Sequence, residues 1–137
     1  MQQLDLNITD GGRSKYFRGQ CGDCVTRALA IALNMDYKVV YERIKDILGG
    51  SPRTGLTTKE TRRVMASLGF FWKPIMKIGT GVTCHLRKGE VPMNEPIICS
   101  CSGHVVAVVN GVVNDCFDCR RGGNRAVYGY WYIPKRG

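Results

Sequence analysis

The chain has 137 residues, 44% of them hydrophobic and 23% charged, a balance suited to one folded domain and unsuited to a disordered tail. No apolar run approaches the roughly 18 residues of a membrane span, and residues 1–13 lack the hydrophobic stretch of a secretion signal, so the expectation is a cytoplasmic protein without a membrane partner. A formal net charge of +9 bears on association and not on fold, and seven cysteines, an odd number, favour reduced thiols over a disulfide framework.

Residues 1–17 read as a loosely ordered N-terminal arm on a single domain spanning 1–137. Asp23 stands at an N-cap position, and Val25, Ala28, Leu29, Ala32 and Met35 follow at helical spacing, which predicts a helix over 24–33 with Cys24 as its first residue. Val40, Ile44, Ile47 and Leu48 mark a second helix, closed by Gly49-Gly50. Thr57-Thr58-Lys59-Glu60 is a capping-box pattern that opens a third helix, over 61–68. From Phe70 the residue types change to those of strands, expected over 71–78, 82–86, 97–101, 104–109, 112–117 and 126–133. Helices first and strands second imply an α+β domain with an antiparallel sheet.

Asn110-Gly111 between two valine-rich runs predicts a two-residue hairpin turn, because a type I′ turn needs positive φ at both central positions. That turn sets a register in which Val109 faces Val112, Val106 faces Asp115 and His104 faces Phe117. His104 and Asp115 then lie on one side of the sheet as diagonal neighbours, about 7–8 Å apart along the backbone, close enough for imidazole and carboxylate to meet. Asn114 points the other way. A cysteine at a helix start gains thiolate character from the helix dipole and from a neighbouring imidazolium, so Cys24 is the candidate nucleophile, His104 its base and Asp115 the orienting acid.

Other readings compete. Cys21-x-x-Cys24 and Cys116-x-x-Cys119 have the spacing of zinc ligands, and a four-thiolate site would make the protein a non-catalytic nucleic-acid binder. Cys99 and Cys101 read as small buried hydrophobes, and Cys84-His85 as strand filling. Tyr128, Tyr130, Trp131 and Tyr132 could stack on bases, but core packing of a last strand explains them as well. Arg120, Arg121 and Arg125 lie among glycines as a solvated loop after the Asp115 strand, placed to offer cations to an acidic substrate; nucleic acid is the less favoured partner.

The order Cys24, His104, Asp115, with Cys21-Gly22-Asp23-Cys24 ahead of a helix, resembles the papain-like cysteine peptidase superfamily and its Cys-Gly-Ser-Cys leader. Through Asp23-Cys24-Val25-Thr26-Arg27-Ala28, residues 82–92, residues 103–115 and Val127-Tyr128-Gly129-Tyr130-Trp131, the chain is similar to small proteins encoded by bacteriophages and prophages. The resemblance implies a papain-like fold, with N-terminal helices packed on a C-terminal antiparallel sheet. It also implies a thiol hydrolase without cofactor, acting in a bacterial host cytoplasm on a peptide, isopeptide or side-chain amide of a protein or peptide substrate. Cys24 would be nucleophile, His104 base and then acid, and Asp115 the group that holds the histidine tautomer. Gln20, nearer to the cysteine than the family's glutamine, would be the side-chain oxyanion donor beside the Cys24 N–H. A degenerate, non-catalytic papain-like domain is the alternative within the same resemblance.

Overall fold

The computed structural model describes residues 2–17, 23–52, 55–75 and 84–134. In chain order these form β1 (Asp5–Ile8), α1 (Cys24–Leu33), α2 (Tyr37–Leu48), α3 (Thr58–Ser67), β2 (Phe71–Pro74), β3 (Pro96–Cys101), β4 (His104–Val109), β5 (Val112–Asp115) and β6 (Gly129–Tyr132). The architecture is α+β. No helix among the described residues is long and apolar enough to cross a membrane.

Each helix begins and ends for a local reason. In α3 the Thr57 hydroxyl accepts from the Glu60 N–H while the Glu60 carboxylate accepts from the Thr57 N–H, which closes the capping box. Helix α2 starts under the Asp36 carboxylate, which accepts from Lys38, and stops at Gly49 with φ of +75°. Helix α1 departs from expectation. The Asp23 backbone carbonyl takes the first helical bond from Arg27, but its carboxylate caps nothing, because buried cations and a phenol hold it instead.

The sheet has six strands in the order β1-β5-β4-β3-β6-β2. Its centre is antiparallel and follows the predicted hairpin, with Val109 opposite Val112 and Val108 opposite Val113. Asn110 and Gly111 take the positive φ values of 51° and 77° that such a turn demands. The expected all-antiparallel sheet needs correction, because β1 pairs with β5 in parallel, Asp5 against Val112 through Ile8 against Asp115. Within the stretch expected as an arm, Asp5–Ile8 therefore forms an edge strand, and Leu4 beside it is fully buried. Parallel pairing at long sequence distance leaves no hairpin signal, and four residues are too few to show an alternating pattern.

Two apolar clusters sandwich the sheet. The helices pack on one face through Leu29, Val40, Ile44, Val64 and Met65 against Ile98, Ala107 and Trp131. The other face holds Leu4, Leu86, Ile97, Cys99, Val106, Val108, Val113 and Cys119, covered by irregular chain. The expected strand over 82–86 is reduced to an isolated bridge, His85 with Ala126, and residues 82–83 lie outside the described set, as do 76–78 of the strand expected after Phe71. Cys84 is buried in this cover layer, with His85 hydrogen-bonded to Glu90 at 3.1 Å. At the far edge a Cβ on Gly129 would come within 2.5 Å of the Trp72 ring, so only glycine lets Trp72 lie over β6 and pack on Trp131, 4.5 Å between centroids.

Candidate active site

Three chain segments converge at one end of the sheet. Cys24 opens α1 with no acidic residue in the first turn, so its partly exposed sulfur sits at the positive end of the helix dipole. His104 opens β4 after a turn whose Gly103 has φ of +63°, and Asp115 ends β5. His104 Nε2 lies 2.6 Å from Asp115 Oδ2, the meeting expected from the hairpin register. The second carboxylate oxygen accepts from the Cys116 N–H at 2.8 Å, which fixes the carboxylate plane. With Nε2 engaged, Nδ1 is the ring nitrogen left to serve Cys24, which lines one cleft with His104 and Val105. Asn114 bonds to Asn7 and to the Val112 carbonyl and takes no part.

The electrostatics favour an ion pair. Burial alone would raise the Cys24 pKa, but the hydrogen bonds from His104 and Val105 and the charges of His104 and Arg27 outweigh it and hold the thiol below its ordinary value. For His104, burial opposes the charged form, yet hydrogen bonds to Asp115, Cys119 and Cys24 push it up to about 11. Asp115 is buried, which would raise it, but His104 keeps it below the usual carboxylate range. The shifts therefore run towards the charged form of all three groups, and His104 is an imidazolium at neutral pH.

Behind it stands a second set of buried charges. The Asp23 carboxylate, with no exposed side-chain surface, pairs with Arg13 Nε at 2.9 Å and with Arg27 Nη1, and accepts from the Tyr37 hydroxyl. Arg27 Nη2 reaches to within 3.9 Å of Asp115 Oδ1 and so joins the two sets. Arg13 is placed by a tight turn in which the Asp10 carboxylate accepts from the N–H groups of Gly12 and Ser14. One sequence signal could have revealed this arrangement: Asp23 and Arg27 are i, i+4 partners on α1.

Cys24 and His104 open into a cleft of roughly 230 Å³, walled by Leu56, Thr58 and Thr61 near the start of α3, by Ser100 and Gly103 around the β3–β4 turn, and by Trp131. Of these wall residues only Trp131 stood out in the sequence, as one of the aromatics able to stack on bases. Gln20, expected as the oxyanion donor, and Cys21 lie outside the described residues. The four-thiolate reading is not supported, since Cys24, Cys116 and Cys119 do not gather into one donor set among the described residues. Cys116 is exposed and Cys119 buried, and the six described cysteines are all free. The arginine loop also needs correction. Arg125 is buried, with Nη2 donating to the Ser102 carbonyl at 2.6 Å, and Arg120 holds Asp118 and the Leu4 carbonyl, so both brace the fold and only Arg121 of the three is exposed. Of the late aromatic residues, Trp131 is buried and Tyr130 and Tyr132 pack on the second cluster.

Fold and site together define an α+β domain in which a cysteine and a histidine line one cleft and an aspartate holds the histidine from behind. Comparison with family models, with curated proteins and with solved structures finds no match.

Proposed function

We propose that the protein is a papain-like thiol hydrolase acting on an amide carbonyl of a protein or peptide. The observation that carries this reading is the convergence of Cys24, at a helix start, and His104 on one cleft, with Asp115 held 2.6 Å behind the imidazole; the chemistry takes Cys24 as the thiolate and His104 as the imidazolium. The Cys24 thiolate attacks the carbonyl carbon, and charge moves onto the oxygen beside the Cys24 N–H, one of the amides that a helix start leaves free. As the tetrahedral centre collapses, His104 gives its proton to the leaving nitrogen, and the acyl group stays on sulfur. Neutral His104 then takes a proton from water, whose oxygen attacks the thioester and regenerates the thiolate. Asp115 does not itself become protonated; it keeps Nε2–H pointed inward and stabilises the imidazolium. Hydrolysis of a peptide, an isopeptide or a side-chain amide follows the same steps, and an amine in place of water gives acyl transfer. The cytoplasm of a bacterial host is the compartment proposed with it, and a degenerate, non-catalytic domain is the reading this proposal displaces.

An activated ester tests the chemistry without knowledge of the substrate. p-Nitrophenyl acetate is expected to acylate Cys24, release a burst of nitrophenolate and then turn over, with the acetyl group mapped to the Cys24 peptide by mass spectrometry. His104→Ala should slow turnover by about 100-fold or more, the usual worth of a positioned acid–base group. Acetyl groups spread over several thiols, or an acyl group that never leaves, would overturn the reading.

A further inference from the structure

Cys119 has no part in the chemistry above, yet it is 2% exposed and its sulfur lies beside both His104 and Asp115. One donor atom from each of His104, Asp115 and Cys119 lies within 4.8 Å of the other two. We propose that these three side chains form a zinc site, in which the metal takes the place of the proton between His104 and Asp115.

The donor chemistry selects the ion. An imidazole nitrogen, a carboxylate oxygen and a thiolate sulfur form a mixed set that suits Zn²⁺, whereas Mg²⁺ and Ca²⁺ require a cage of oxygens. Ligands at about 2.1 Å from a tetrahedral ion stand roughly 3.4 Å from each other. The 2.6 Å contact between His104 and Asp115 therefore opens and the longer separations close, a shift of about 1 Å that side-chain rotation supplies. The third ligand is already positioned. Arg120, next to Cys119, holds Asp118 and donates to the Leu4 carbonyl, which ties that loop to the chain entering β1. The Arg27 guanidinium, 3.9 Å from Asp115 Oδ1, works against a cation and moderates the affinity.

The balance is simple. Zn²⁺ enters, the His104 ring proton and the Cys119 thiol proton leave to solvent, water fills the fourth position, and nothing is oxidised or reduced. Cys24 is not in the donor set and keeps its sulfur free. With zinc on Nε2, His104 could give up its remaining Nδ1–H only by becoming an imidazolate, and it has no free nitrogen to take a proton from water, so occupancy silences the site. That consequence rests on the proposed hydrolase reading, while the metal site does not.

The test uses the whole protein, stripped of metal, with Zn²⁺ followed by a chromophoric competitor and Co²⁺ followed by its sulfur-to-metal absorption. One equivalent is expected to bind with the spectrum of a single thiolate ligand. Cys119→Ser should weaken zinc by more than about 100-fold, beyond the usual cost of losing a supporting residue, whereas Cys24→Ser should leave it within about threefold. Absence of binding, full binding in Cys119→Ser, or loss of binding in Cys24→Ser would each overturn the proposal. Should circular dichroism show Cys119→Ser unfolded, the wild type decides: zinc must slow alkylation of the Cys119 peptide, and protection of other cysteines but not this one overturns the site. Zinc should also suppress nitrophenolate turnover. A protein that binds zinc through Cys119 but never turns the ester over keeps the metal site and loses the hydrolase.

Discussion

Asp23→Ala is expected to destabilise the protein by about 3–5 kcal/mol, the cost of leaving buried charges without their partner. The Asp23 carboxylate has no exposed side-chain surface and is held by three groups, of which Arg13 and Arg27 are themselves nearly buried. Truncation leaves two guanidinium groups facing each other around a cavity, with the Tyr37 hydroxyl deprived of its acceptor. A surface ion pair would be worth at most about 1 kcal/mol, but solvent does not screen this one. Since a domain of this size has only about 5–15 kcal/mol of stability, the loss takes a large share of it. Urea unfolding of wild type, Asp23→Ala and Asp23→Asn measures the effect, with the amide variant intermediate because it keeps an acceptor for Tyr37. A loss below about 1 kcal/mol in Asp23→Ala would mean that water reaches the cluster and that its geometry is not as described.

The second large effect concerns reactivity. At pH 6.5 an ordinary thiol with a pKa of about 8.5 is only about 1% ionised, so a Cys24 held as thiolate has up to about 100 times more of the reactive form. Its lower basicity returns part of that advantage, leaving at least about 10-fold. Iodoacetamide is therefore expected to label Cys24 first of the seven cysteines, as read by peptide mass spectrometry. The buried thiols are slow for the opposite reason. Burial pushes Cys84 up to about 11 and Cys99 well above its ordinary value, with no imidazolium to compensate. Exposed Cys116 is the internal standard for access, because burial of its sulfur and the nearby Asp115 carboxylate raise it, although the charge of Arg27 works the other way. His104→Ala should bring Cys24 down to the rate of Cys116. Equal labelling of the two in wild type would remove the case for a nucleophile.

Much of this site was legible because it depends on local rules. The helix boundary at Cys24 follows from apolar spacing, and the His104–Asp115 contact follows from one turn whose two residues accept positive φ. Alternation along two strands then carries the register from Asn110-Gly111 to the reacting groups. What could not be read depends on contacts far apart in sequence. Strand β1 meets β5 across about a hundred residues, and the parallel pair leaves no periodic trace in four positions. Arg13 and Arg27 read as ordinary cations until the fold buries them against Asp23, and the N-cap rule that placed Asp23 says nothing of where its carboxylate turns. Cys119 was assigned to a thiolate set by its spacing from Cys116, whereas the fold leaves Cys116 exposed and buries Cys119 beside His104 and Asp115. The arginines of the same loop illustrate the reverse error, since glycines beside them imply solvent and two of the three are in fact structural ties.

The central claim is that His104 keeps Cys24 ionised at neutral pH, and the ultraviolet absorbance of the thiolate reports this directly. The difference in absorbance between wild type and Cys24→Ser, followed from acid to alkaline pH, isolates the titration of this sulfur. A thiol whose folded pKa is lowered keeps its charge to lower pH than an ordinary thiol and loses it as the pH falls through that lowered value. The account predicts a midpoint well below the ordinary value of about 8.5, moving up towards it in His104→Ala. A midpoint at or above about 8.5 in the wild type, unmoved by loss of the imidazole, would contradict it.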